Sequence, residues 1–104
     1  MSENDNVKEQ EAAKPEESKL LDEPIKMKEI IYMMILSLEG KAWAYLDKVA
    51  HPETQKHLKD SGEAKTAIDA IDALYKIIEP MLEQADKKDI QVRLSNLRLN
   101  FAKE

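Results

Sequence analysis

The sequence predicts an all-α fold of three helices, completed by oligomerisation. Three observations carry that prediction. Only two glycines and four prolines occur among 104 residues, and the body of the chain is rich in Leu, Ile, Ala, Lys and Glu. Apolar residues recur at spacings of three and four along three separate stretches, two of them closed off by proline. The run Ile30–Leu38 carries seven large aliphatic side chains that point all around a helix, more than one apolar stripe needs.

Charge divides the chain. Residues 1–23 hold eight acids and three lysines, whereas residues 24–104 hold thirteen of each sign. The first segment has too few large apolar side chains to offset the entropy of ordering, and is expected to be a disordered acidic tail. Leu20 and Leu21 within it are a candidate partner-binding motif, set against the simpler reading of a solvated tail. Residues 24–104 are expected to form the helical domain. A neutral body argues against nucleic-acid binding, which needs a concentrated basic surface.

Asp22-Glu23-Pro24 reads as a helix start, with an acidic cap and a proline where its missing N–H costs nothing. Helix 1 is expected to be long and to run to Val49 or Ala50. Met27, Ile31, Met34, Leu38, Ala42, Tyr45 and Val49 form its main stripe, and Leu36, Trp43 and Ala50 form a second. Gly40 inside it marks a bend or a close neighbouring backbone. Pro52 ends the helix, because the residue before proline is pushed out of the helical region.

Asp60, with Glu63 three residues on, reads as a cap for helix 2. Ala64, Ala67, Ile68, Ile71, Leu74, Tyr75 and Ile78 fall within an arc of about 120°, making this the cleanest amphipathic helix of the three. Asp72 and Lys76 form an i,i+4 pair on its outer side. Pro80 ends or kinks it near Glu79. Asp86 is expected to cap a short helix 3, on which Ile90, Leu94, Leu97 and Phe101 share one face while Val92 and Leu99 lie opposite.

A fully buried Ile, Leu or Met contributes about 1.5–3 kcal/mol. Helices 1 and 3 offer more apolar surface than one three-helix layer covers, so the chain is expected to be a homo-oligomer, a dimer or tetramer centred on helix 1. The expected interface residues are Ile31, Met34, Leu36, Leu38, Trp43, Val92 and Leu99.

Chemistry-bearing residues are sparse. The absence of cysteine excludes thiol catalysis, disulfides and zinc–thiolate sites. His51 and His57, with Asp47, Glu53 and Asp60 nearby, could bind a divalent ion, but their spacing matches no metal motif, and two surface histidines are the expected outcome. Asp69 and Asp72 could do acid–base work, but Lys65 and Lys76 are ready partners and a solvated face is the better reading. Tyr32, Trp43, Tyr45 and Tyr75 could line a pocket, and Met27, Met33, Met34 and Met81 an adaptable groove; packing in a core or interface accounts for both sets. Arg93 and Arg98, beside Lys103, suit the C-terminal half of a helix and could also meet an acidic partner. No cofactor, metal or catalytic residue is assigned. The N-terminus lacks a basic segment followed by an apolar one, and the Ile30–Leu38 run would span only about 14 Å as a helix. A cytoplasmic location, with no membrane contact, is expected.

These readings define a non-enzymatic helical oligomer or interaction module, with an unidentified protein partner possible. The alternative is a small-molecule-binding or enzymatic bundle whose pocket would bring Tyr32, His51 and Asp69 together.

The order of features also resembles a known family. A helix rich in Leu and Ala leads to Pro52-Glu53-Thr54. A helix carrying Ala64, Ile68 and Asp69 follows, and the chain closes on Leu94, Leu97, Arg98, Leu99 and Phe101. Over roughly residues 30–104 this resembles small helical prokaryotic proteins described only as a domain of unknown function, whose members commonly carry a Pro-Glu-Thr-Gly turn. Gln55 stands where that pattern has glycine, and Pro80 and the missing basic-acidic spacer before helix 3 are further departures. The resemblance implies a helical fold and brings no activity, so no functional residue is carried over from it.

Overall fold

The computed structural model describes residues 20–104, and the expected acidic tail lies almost entirely outside them. Leu20 and Leu21 precede the first helix in irregular chain and are exposed. Three α-helices follow: α1 (Met27–Tyr45), α2 (Ser61–Ile78) and α3 (Gln84–Ala102), with a 3-10 turn at Glu79–Met81 between the last two. Among the described residues there is no strand. The all-α three-helix arrangement is thus as the sequence reads.

The ends of α1 differ from expectation. It starts at Met27, beyond Pro24, with Lys26 at the cap position and no side-chain cap bond. It stops at Tyr45, short of Val49, and the reason is local. Asp47 adopts φ 66°, the left-handed conformation that closes helices. Its amide bonds back to the Ala44 carbonyl at 3.0 Å, and the Lys48 amide reaches the Trp43 carbonyl at 3.0 Å. This is a Schellman closure built on aspartate, a residue that tolerates the left-handed region better than most. Gly40 lies inside α1 and meets no neighbouring backbone: nothing lies within 4 Å of where its Cβ would stand.

The cap of α2 is as expected: Asp60 Oδ1 accepts from the Glu63 amide at 3.1 Å. Its apolar stripe is buried as read, with Leu74 partly exposed. Pro80 ends the helix in the 3-10 turn, where the Leu82 amide bonds to the Glu79 carbonyl. The third helix is not short. At 19 residues α3 equals α1 in length. Asp86 is not its cap; Glu83 holds that position without a side-chain bond, and Asp86 sits in the first turn, where its charge opposes the positive end of the helix dipole.

Ile35 and Leu46, Ile71 and Ile78, and Ile90 and Leu97 are the largest fully buried side chains, two from each part of the fold. Ala42, Ala64 and Ala67 join the core they form, and their small size lets α1 and α2 approach closely.

Candidate functional site

Tyr32, Glu39 and Trp43 recur at spacings of seven and four, which sets them on one side of α1. That side meets α3, where Asp89 and Arg93 are one turn apart. The Tyr32 hydroxyl donates to Asp89 Oδ2 at 2.5 Å. Arg93 Nε donates to the same oxygen at 3.0 Å, and Arg93 Nη1 to Glu39 Oε1 at 2.6 Å. Trp43 Nε1 completes the chain by donating to Glu39 Oε2 at 3.2 Å. Burial, and then the bond to Asp89, push the Tyr32 hydroxyl up to about 12. The bonds from Tyr32 and Arg93 hold the Asp89 carboxyl below its ordinary value. The two carboxylates likewise raise Arg93. Each charge here already faces its opposite, so the network binds α3 to α1 and leaves no activated acid or base. Beside it, Lys28, Tyr32, Met33, Leu82 and Asp86 line an open cleft of about 450 Å³.

A second constellation holds the loop between α1 and α2. His51, expected at the surface, is only 4 % exposed. Its Nε2 lies 2.9 Å from the Leu58 carbonyl, which can only accept, so Nε2 carries the proton. Nδ1 therefore accepts from the Lys41 ammonium, 2.8 Å away. Lys41 also pairs with Glu53 Oε2 at 2.6 Å and lies 4.9 Å from the centre of the Tyr45 ring, against whose face or edge His51 packs at 64°. The bond from Lys41 lowers the Glu53 carboxyl. Around them, the His51 carbonyl accepts from the Thr54 and Gln55 amides, and the His51 amide donates to the Lys56 carbonyl at 2.8 Å. Gln55, in the position of the expected glycine, adopts φ 60°. His57 is exposed and pairs with Asp47, so the two histidines take separate partners.

The two aspartates of α2 are accounted for by pairing. Asp69 meets Lys65, and Asp72 meets Lys76 and also Arg98 of α3, which together lower its carboxyl. Tyr32, His51 and Asp69 engage different groups: Asp89, Lys41 with the Leu58 carbonyl, and Lys65 respectively. Among the described residues no group of three or more His, Cys, Asp or Glu could hold a metal ion, and no helix is long and apolar enough to cross a membrane.

The seven expected interface residues divide. Ile31, Leu38 and Trp43 pack partly buried against the chain's own core. Met34 (47 %), Leu36 (36 %), Val92 (48 %) and Leu99 (59 %) remain open. Met33, absent from the expected set, is 54 % exposed. It lines a second shallow cleft, almost wholly apolar, with Ile30, Met34, Ser37 and Leu38. The α1–α3 network is not legible in the apolar and charge patterns taken separately, which place Tyr32 and Trp43 in a core or interface and Arg93 on the C-terminal half of helix 3 without joining them to Glu39 or Asp89. The shared side of Tyr32, Glu39 and Trp43, together with the i,i+4 pair Asp89–Arg93, is the signal that locates it.

Fold and polar groups together define a small three-helix domain in which ionisable side chains fasten helices and a loop to one another. The sequence profile of a domain of unknown function, DUF1844, matches residues 28–103, and the chain belongs to that family. No curated protein and no solved structure matches it significantly.

Proposed function

We propose that this chain is a non-enzymatic interaction module that assembles with copies of itself in the cytoplasm, as a dimer or tetramer, and through that assembly meets a further protein partner. The observation that carries this reading is the half-exposed row of large apolar side chains on α1, Met33 and Met34 foremost, beside polar groups that are paired among themselves. Contiguous exposed apolar surface on a small domain is characteristic of interaction sites.

Light scattering tests it. The expected mass at micromolar concentration is a multiple of the 11.9 kDa chain. Met34→Glu and Leu36→Lys should lower that mass, because each brings an unpaired charge to the apolar surface. Asp69→Ala, on an exposed i,i+4 pair, should leave it unchanged. A monodisperse wild-type monomer would remove the reading.

A further inference from the structure

We propose that the loop between α1 and α2 is a pH-sensitive latch, held closed by neutral His51 and released when Nδ1 takes a proton.

The closed geometry suits the neutral ring alone. His51 is buried, and both its ring nitrogens have partners. Nε2 donates to the Leu58 carbonyl, and Nδ1 accepts from the Lys41 ammonium at 2.8 Å. A proton on Nδ1 turns that acceptor into a donor facing another donor. It also sets a second positive charge beside the ammonium, where water scarcely reaches. Swinging Lys41 away does not resolve the conflict, because the charged ring then stays buried with an N–H that has lost its partner. Moving the ring into water resolves it. Imidazole ordinarily makes this change of charge between pH 5 and 8.

The surrounding charges leave the conflict in place. From α1 the ring faces Lys41 and the Tyr45 ring. From the loop, Glu53 pairs with Lys41, and that bond holds its carboxyl below the ordinary value, so Glu53 stays ionised throughout the interval. Glu53 thus balances one positive charge and not two. Asp60, at the start of α2, caps its own helix, and Glu104, at the end of α3, pairs with Lys59. His57 pairs with Asp47, a contact that protonation strengthens.

The closed loop also works against its own backbone. Gln55 is left-handed at φ 60°, a conformation that persists in a residue with a Cβ only where its surroundings hold it. The holding bonds converge on His51, whose carbonyl accepts from the Gln55 amide at 2.7 Å and whose amide donates to the Lys56 carbonyl. Releasing the ring therefore frees the turn as well, and uncovers the side of Tyr45 against which His51 packs.

The test takes the labelled full chain from about pH 8 to about pH 5, reading amide heteronuclear NOEs across residues 47–59 and the histidine ring shifts in the same samples. The NOEs should fall as the His51 ring titrates, while the centre of α2 stays rigid. A ring that titrates with the loop still ordered would mean that Glu53 turns inward to accept the new N–H, and would overturn the latch. His51→Gln keeps a donor and an acceptor but cannot titrate. Its loop should stay ordered throughout; a fall matching the wild type would overturn the assignment to His51. Lys41→Met keeps the ring and removes the opposing cation, so most of the pH-dependent fall should vanish, and the full wild-type fall would overturn the mechanism. His57→Gln should respond as the wild type does. Loss of the response there would move the switch to the His57–Asp47 pair and overturn the inference.

Discussion

The Tyr32 hydroxyl and the Asp89 carboxylate meet at 2.5 Å across 57 residues of sequence, tying the first turns of α1 to those of α3. Tyr32→Phe keeps the ring and removes the bond. A hydrogen bond to a charged group contributes about 1.5–3 kcal/mol, the lower part of that range applying where solvent reaches the pair. Thermal denaturation should show a Tm lower by roughly 4–8 °C for each kcal/mol lost. Arg93→Met, which frees both Asp89 and Glu39, should cost at least as much. A Tm unchanged in both variants would mean that this network contributes nothing to holding α3 on α1.

The same contact predicts a loss of stability in alkali. Burial and the bond to Asp89 push the folded Tyr32 hydroxyl up to about 12, above the ordinary tyrosine value near 10. Its contribution is complete below the unfolded value and is lost as pH rises through the folded one. A titration of Tm over that interval should show the wild type converging on Tyr32→Phe, with the difference between them largest at neutral pH.

Acid acts through the carboxylates with the opposite sign. Asp89 and Asp72 are both held below the ordinary carboxylate value in the folded chain. Their contribution is present above the unfolded value, near 4, and is lost as pH falls through the folded one. Asp89→Asn should flatten the acid limb of the stability curve; an unchanged limb would assign acid sensitivity to other groups.

Gln55 holds a left-handed backbone at φ 60°. For a residue with a Cβ that conformation costs about 1–2 kcal/mol. Gln55→Gly removes the strain, loses the bond from the side-chain amide to the Pro52 carbonyl, and frees the unfolded chain. The net expectation is a stabilisation of up to about 1 kcal/mol, read by chemical denaturation. Gln55→Val should destabilise, because a β-branched side chain fits this region worst.

His51 is the polar centre of the loop between α1 and α2. His51→Leu should leave the Leu58 carbonyl without its donor and Lys41 with Glu53 as its remaining acceptor, at a cost of about 1–3 kcal/mol. Hydrogen exchange should then accelerate at the His51, Gln55 and Asp60 amides, whose bonds define the loop, and leave the centre of α2 protected.

Much of this was legible before any coordinate. The α2 stripe from Ala64 to Ile78, the Asp60 cap and the stop at Pro80 depend on side chains within one or two turns of each other, so residue type and spacing settle them. The end of α1 is local too, but its signal is an aspartate in a role usually filled by glycine, so the sequence pattern points past it to Pro52. What local pattern left open is which of several apolar or charged faces meets which. Ile31, Leu38 and Trp43 turn inward while Met33 and Met34 do not, and His51 sinks beneath its loop. Periodicity ranks a helix's faces by apolarity. Only the packing of α1 against both α2 and α3 decides which are covered, because partners such as Tyr32 and Asp89 become neighbours through the crossing of two helices and through nothing in the chain near either one.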